Sequence, residues 1–223
     1  MGKIPFAAMD FVWQSTCMES NWAAEHLQTI RTLMERSAIY RRALAPISLY
    51  AGLVGVLAAA VGIAGNFNSM RAFGFLWLGT AAVAVAGALV IVRRQAFKHQ
   101  EPFWSPPTRR VAQALLPPLT AGMCLGVVFS FSGLEGAFPM LLALLWVLFY
   151  GCALHAAGFF APRGVKLLGW LFIAAACVLL CASAVTDSDL RLRPHWLMGF
   201  FFGVVHLAYG GYLYLTEKGT NAA

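Results

Sequence analysis

The chain has 223 residues and a net charge of +7; 60% of its residues are hydrophobic and 11% are charged. Soluble domains average about 45–50% apolar and ~25% charged residues. A soluble fold of this length is therefore excluded, because it could not bury so much apolar surface, whereas a lipid-facing fold need not bury it. A secreted disulfide framework is excluded as well, since four of the five cysteines lie inside apolar runs.

Six windows of the sequence contain no Asp, Glu, Lys or Arg, and each window has at least 20 residues. A helix needs about 20 apolar residues to cross ~30 Å of hydrocarbon, so each window is long enough for one crossing. The sequence therefore predicts an all-α fold, a bundle of six transmembrane helices in a domain of residues 44–216. The predicted spans are about 46–65, 72–92, 112–132, 139–160, 167–186 and 195–215.

The segment 93–110 between the second and third spans carries five Lys or Arg against one acid, Glu101. Loops rich in Lys and Arg face the cytoplasm, so this basic loop orients every other span. With the loop inside, 13 of the 16 basic residues lie on the cytoplasmic side. The three that remain outside are Arg71, Arg191 and Arg193.

An even number of spans places both termini on the same side, here the cytoplasm. The predicted cytoplasmic parts are the N-terminal segment 1–43 and the tail 217–223. Three helices in each half would make the halves inverted relative to each other, as in many transporters. No similarity between 43–134 and 136–216 supports such a repeat.

Prolines mark the beginnings of several predicted helices, where a missing N–H costs least. Pro139 opens the fourth span, and Pro194 opens the sixth. Pro117 and Pro118 are expected near the start of the third span for the same reason.

The N-terminal segment contains a predicted amphipathic helix, residues 19–43, with Ser20 or Asn21 as its cap. Its apolar residues recur at steps of three and four. Three roles are open for this helix: packing on the cytoplasmic ends of the bundle, lying in the headgroup region, or pairing with a partner helix or second copy. We expect no signal peptide, because residues 1–42 contain no apolar core segment.

Basic residues on the predicted cytoplasmic face are candidates for binding anionic lipid or a protein partner. Phe97, Phe103 and Trp104 interleave with them, a pattern that single-stranded nucleic acid also uses. Because the lipid headgroup is the nearer polyanion, nucleic acid is not expected. The candidate lipid- or partner-binding residues are Arg31, Arg36, Arg41, Arg42, Arg93, Arg94, Lys98, Arg109 and Arg110.

Two histidines lie in the interior of the predicted spans, away from the span ends. His155 shares a helix face with Gly151, Cys152 and Gly158, and His206 shares one with several glycines and Tyr209. Small residues let helix backbones approach closely, so both faces are predicted to point into the bundle. The predicted helix-packing residues are Gly151, Gly158, Gly199, Gly203 and Gly210.

Two interpretations of His155 and His206 stay open. In the first, each ring is hydrogen-bonded across helices to a hydroxyl or a freed carbonyl. In the second, the two rings ligate a haem b, and the glycines make room for the macrocycle. The second requires similar depth, yet the two residues differ by ~4 to ~9 Å at 1.5 Å of rise per residue. No cofactor is expected, with haem b as the alternative.

Other site chemistry is sparse. Cys177 and Cys181 stand four residues apart on one helix face, but no further metal ligands accompany them. Asp187 and Asp189 lie beside two arginines, which makes a poor cation cage. No catalytic motif occurs, so no catalytic residue and no metal site is predicted. No span holds a carboxylate, which argues against proton- or ion-driven transport.

One segment resembles a group of small multi-pass bacterial inner-membrane proteins. Residues 27–42, Leu27-Gln28-Thr29-Ile30-Arg31-Thr32-Leu33-Met34-Glu35-Arg36-Ser37-Ala38-Ile39-Tyr40-Arg41-Arg42, precede a span rich in small residues, and the glycine-rich last span with His206 and Tyr209 is similar too. The resemblance implies a bacterial inner membrane. The group has no assigned activity, so it implies no site residues.

The sequence thus predicts a non-enzymatic integral membrane protein, a regulatory or scaffold module whose basic cytoplasmic face docks lipid or a protein partner, with a homo-oligomer also open. One alternative is a carrier or channel for a small neutral or hydrophobic solute, suggested by the glycine-lined helix faces. The other is a haem b redox protein that uses His155 and His206.

Overall fold

The computed structural model describes residues 43–98, 104, 106–131, 139–185 and 193–220. Of these residues 92% are helical and none forms a strand. Six helices are long and apolar enough to cross a membrane, which confirms the predicted all-α fold of a multi-pass membrane protein. They belong to one compact unit, Arg41–Ala223. The predicted amphipathic helix lies outside the described residues, apart from Ala43 at its end.

The six helices are numbered in chain order. The first five are α1 Ala43–Ala64, α2 Met70–Lys98, α3 Pro106–Phe131, α4 Pro139–Ala157 and α5 Arg163–Val185. The last, α6, has three consecutive parts. These are the α-helical turn Pro194–Met198, the π-helical turn Gly199–Val204 and the α-helix Val205–Thr220.

The connection from α1 to α2 is fixed by a C-terminal cap of the Schellman type. The N–H of Phe67 donates to the carbonyl of Gly62 at 3.1 Å, and the N–H of Asn66 donates to the carbonyl of Ile63 at 3.3 Å. Asn66 has a φ of 51°, a left-handed conformation that Asn adopts more readily than most residues. The cap satisfies two of the last carbonyls of α1 and sets the position of Phe67.

α1 packs against α6 through a stripe of small residues. A Cβ at Gly52 would lie 2.7 Å from the backbone nitrogen of Leu207, and a Cβ at Gly55 would lie 2.6 Å from the carbonyl carbon of Phe202. Only glycine fits such a close approach of two helix backbones. The stripe recurs at steps of three and four and is buried along its length: Ala45, Ser48, Gly52, Gly55, Ala59 and Gly62.

The five glycines predicted to pack between helices all lie where a Cβ would meet a neighbouring helix. Gly151 and Gly158 lie against α5, whereas Gly199, Gly203 and Gly210 lie against α1. Helices α4 and α5 run antiparallel, and so do α1 and α6, since the beginning of one helix meets the end of the other.

The core between the helices is built from large apolar side chains. Among those that are fully buried are Phe73, Phe172, Leu142, Leu144 and Val147.

The third helix differs from the expectation. α3 begins at Pro106, so Pro117 and Pro118 lie in the helix interior and not near its start. The predicted start was wrong because the segment around Arg109, assigned to the loop by its charge, is already helical. Two prolines inside a helix remove two N–H donors, which is a typical cause of a bend.

Candidate functional site

His206 lies on α6 directly after the π-helical turn, and its side chain is buried. Its Nδ1 lies 2.9 Å from the carbonyl oxygen of Phe201, and its Nε2 lies 2.8 Å from the hydroxyl of Tyr150 on α4. A carbonyl only accepts, so Nδ1 carries a proton and donates it. In the neutral ring, Nε2 then accepts from the Tyr150 hydroxyl. Both ring nitrogens are therefore satisfied inside the bundle.

A π-helical turn precedes His206 on α6. Within it the backbone bonds span five residues, as in the bond from the N–H of Val205 to the carbonyl of Phe200. Such a turn changes the helical phase, and π-helical turns are frequent at functional sites. Gly203 and Gly210 face α1, whereas the ring of His206 contacts α4 and α5. The side of α6 on which these residues were predicted to lie thus meets more than one neighbouring helix.

A second histidine network lies at the beginning of α6. His195 is only 1% exposed, and its Nδ1 lies 3.2 Å from the indole nitrogen of Trp77 on α2. Its Nε2 lies 3.0 Å from the carbonyl oxygen of Phe67. The indole N–H only donates and the carbonyl only accepts, so the ring is neutral with its proton on Nε2. His195 thus connects α6 to α2 and to the capped connection after α1.

Sequence analysis did not identify His195 as an interior residue, since it stands beside Pro194 at the edge of the last span. The partner that buries it, Trp77, lies 118 positions away, and no local pattern relates the two. Tyr150, the partner of His206, was missed for the same reason.

His155 has different surroundings. It lies near the end of α4, where its ring contacts Phe159 at 5.4 Å and Trp170 at 5.0 Å between centroids, both edge-to-face. Its Nδ1 is buried and has no hydrogen-bond partner among the described residues. The same holds for the hydroxyl of Tyr209, which lies against Gly164. The interpretation of a ring hydrogen-bonded across helices thus fits His206 but does not fit His155.

The haem hypothesis stays a prediction. The structure places His206 against Tyr150 and His155 against Trp170, and iron ligation by His206 would first have to displace Tyr150 or Phe201. Within the described ranges, no three His, Cys, Asp or Glu residues lie together as metal ligands would. Asp187 and Asp189 lie outside those ranges.

Aromatic rings fill the middle of the bundle around His206. Phe202 stacks on the imidazole with an interplanar angle of 12° and a centroid distance of 6.1 Å. Phe172 meets His206 edge-to-face at 5.7 Å and also contacts Tyr150 and Phe201. The helix faces predicted to be lined by glycine are thus occupied by neighbouring helices and rings. This packing gives the carrier hypothesis no support.

The described basic side chains gather at one end of the bundle, which we call the basic end. It is the end at which α2 and α4 finish and at which α3 and α5 begin. Seven basic side chains lie there, and two, Arg71 and Arg193, lie at the opposite end. The predicted residues Arg31, Arg36, Arg41 and Arg42 fall outside the described residues. The seven are Arg93, Arg94, Lys98, Arg109, Arg110, Arg163 and Lys166.

Aromatic rings hold two of these cations at the basic end. The guanidinium of Arg93 lies 5.5 Å from the ring centroid of Phe97, and the ammonium of Lys166 lies 4.1 Å from that of Phe159. Both rings are largely exposed. Such contacts attract a cation to the face of an aromatic ring, so each ring helps to place its charge at this end of the bundle.

No protein-family model, curated protein or solved structure matches this chain. The resemblance to small multi-pass bacterial membrane proteins therefore stays a prediction. The features that distinguish the molecule are the two satisfied histidine networks of His195 and His206 inside the bundle and its basic, aromatic-rich end.

Proposed function

We propose that this chain is a non-enzymatic multi-pass membrane protein that docks anionic lipid headgroups at its basic end. The basic end faces the cytoplasm, both termini lie there, and the membrane is a bacterial inner membrane. The observation that carries the proposal is the uneven placement of charge, with seven described basic side chains at one end and two at the other.

The physical argument is electrostatic. Each Lys or Arg near an anionic membrane surface contributes about 1 kcal/mol of attraction. Arg93, Arg94 and Arg109 are exposed at the ends of membrane-spanning helices, which puts them at the level of the phosphates. Both interior histidine networks are satisfied by protein groups, so they serve the bundle's structure and leave the basic end as the place of interaction.

Reconstituted vesicles test this function. The full chain is placed in bilayers of phosphatidylglycerol and phosphatidylcholine, and energy transfer from its tryptophans to a trace of dansyl-labelled lipid of each class is measured. We expect enrichment of the anionic lipid around the protein, and we expect it to weaken as salt screens the charges. The combined variant Arg94→Gln, Lys98→Gln and Arg110→Gln should weaken the enrichment.

The matched control is Arg71→Gln with Arg193→Gln, which removes charge from the opposite end and should leave most of the enrichment in place. Equal transfer to anionic and neutral lipid in the unaltered chain would contradict the proposal. In that case an acidic protein partner becomes the better explanation of the basic end, and capture experiments with and without residues 1–42 would identify it.

A further inference from the structure

We infer that one anionic phospholipid binds between the basic-end halves of α2 and α3, with its headgroup on Arg93 and Arg109. The inference rests on the proposed function and names the place where the lipid is held. The contacts between α2 and α3 define the site. The basic end is then a charged surface that also holds a binding site for a single lipid.

The contacts between α2 and α3 that involve a glycine or a pair of aromatic rings lie in the half of the bundle opposite the basic end. A Cβ at Gly74 would meet the hydroxyl of Ser130, and a Cβ at Gly126 would lie 3.2 Å from Leu78. The rings of Phe75 and Phe131 meet edge-to-face at 5.4 Å. These contacts fix which face of each helix points towards the other.

Nearer the basic end the same faces are exposed. No described side chain of α2 from residue 78 to residue 98 is buried, and none of α3 is buried from residue 112 to residue 121. Pro117 and Pro118 lie within that part of α3, where the missing N–H groups favour a bend. The two helices thus present apolar faces that nothing in the described chain covers at this level.

Helix periodicity shows that these exposed faces continue the contact. On α2, Val85 stands seven residues after Leu78, and Leu89 stands four residues further; both are about half exposed. On α3, Met123 and Leu116 precede the buried Ser130 by seven and fourteen residues, and both are about half exposed, like Val85 and Leu89. Residues at such steps share one side of a helix. The space between the two helices is therefore lined by aliphatic side chains on both sides.

Both faces end in an arginine. Arg93 follows Leu89 by four residues, and Arg109 precedes Leu116 by seven, so each guanidinium lies on the same side as the aliphatic residues. Phe97 fixes one of them, with Arg93 lying 5.5 Å from its ring centroid. An apolar cleft capped by two cations matches a molecule with acyl chains below a phosphate. A second copy of this chain would bring its own arginines to the same level and would be repelled.

Native mass spectrometry of the full chain in mild detergent tests the inference. Phosphatidylglycerol and phosphatidylcholine with the same acyl chains are added, and the lipids retained by each chain are counted. We expect a single phosphatidylglycerol to be retained in preference to phosphatidylcholine. Removing both charges, Arg93→Gln with Arg109→Gln, should weaken retention about tenfold or more, given ~1 kcal/mol of attraction for each basic residue.

A matched pair of tryptophan variants tests the cleft itself. Val85 and Val83 are both 53% exposed, but two residues of separation put them on nearly opposite sides of α2. Val85→Trp fills the space between the helices and should abolish retention of the lipid. Val83→Trp adds the same bulk elsewhere and should leave retention unchanged. Since both side chains are exposed, we expect both variants to fold, which their elution as single species would verify.

Three outcomes would overturn the inference. Equal retention by the two tryptophan variants would show that the lipid is not held between the helices. A dimer that only Val85→Trp disrupts would assign the faces to a second copy. Enrichment of anionic lipid in vesicles, without any lipid retained in mass spectrometry, would contradict the cleft site but not the proposed function. Absence of both the enrichment and the retained lipid would contradict the cleft site and the proposed function.

Discussion

The variant Gly55→Leu is expected to destabilise the bundle by about 3 kcal/mol or more, at or above the upper end of the cost of overpacking. A Cβ at this position would lie 2.6 Å from the carbonyl carbon of Phe202 and 2.9 Å from the backbone nitrogen of Gly203. Neither is the end of a flexible side chain, so relief requires moving α1 away from α6. The melting temperature of the purified protein in detergent measures the effect.

Gly79 supplies the matched control, since a Cβ there would meet nothing within 4 Å. Gly79→Leu adds the same side chain to a transmembrane helix at an open position, and we expect its melting temperature to stay close to that of the unaltered chain. Similar losses for both variants would mean that the contact between α1 and α6 is not the cause.

Replacement of His195 by Leu has the second largest expected effect, a loss of about 2–4 kcal/mol. The change leaves the buried indole N–H of Trp77 and the partly buried carbonyl of Phe67 without partners. An unsatisfied buried polar group costs roughly 1–3 kcal/mol in proteins generally, and hydrogen bonds within membrane proteins fall towards the low end of that range. Thermal unfolding, read from the near-ultraviolet signal of the aromatic side chains, is the measurement.

His155→Leu is the control for that experiment. Within the part of the chain that the structure describes, the Nδ1 of His155 has no hydrogen-bond partner, so leucine removes a buried polar atom without leaving a described donor or acceptor unpaired. We expect little change in melting temperature, or a slight rise. If His155→Leu proved as costly as His195→Leu, the hydrogen bonds of His195 would not explain its importance.

Composition and charge were enough to predict the six helices, because about 20 uncharged residues in a row satisfy the length that lipid demands. Helix boundaries were harder where charge continues inside a helix. The first turns of α3 contain Arg109 and Arg110, and a helix can project beyond the hydrocarbon, so an uncharged window does not define where the helix begins.

Part of the helix packing also has a signal in the sequence. Small residues at steps of three and four let two helix backbones approach closely, and α1 carries such a repeat where it meets α6. Gly151 and Gly203 were predicted to lie at helix contacts because they are small, and each lies against a neighbouring helix. The pattern does not say which helix is the partner, because any helix with a complementary surface could approach a stripe of small residues.

The histidine networks could not be predicted in the same way. The partners of His195 and His206 lie 118 and 56 positions away along the chain, on other helices, and nothing local relates them. The π-helical turn could not be predicted either, because no periodic pattern in α6 indicates where a helix will take up an extra residue. Such features depend on how the whole bundle packs.

The orientation of the basic end is the claim on which the docking account depends, and labelling of single cysteines measures it directly. In a chain with its own cysteines replaced, Lys98→Cys marks the basic end and Asn66→Cys marks the connection between α1 and α2 at the opposite end. Intact cells are treated with a maleimide that cannot cross the membrane. We expect Asn66→Cys to be labelled at once and Lys98→Cys only after the membrane is permeabilised; labelling of Lys98→Cys in intact cells would contradict the account.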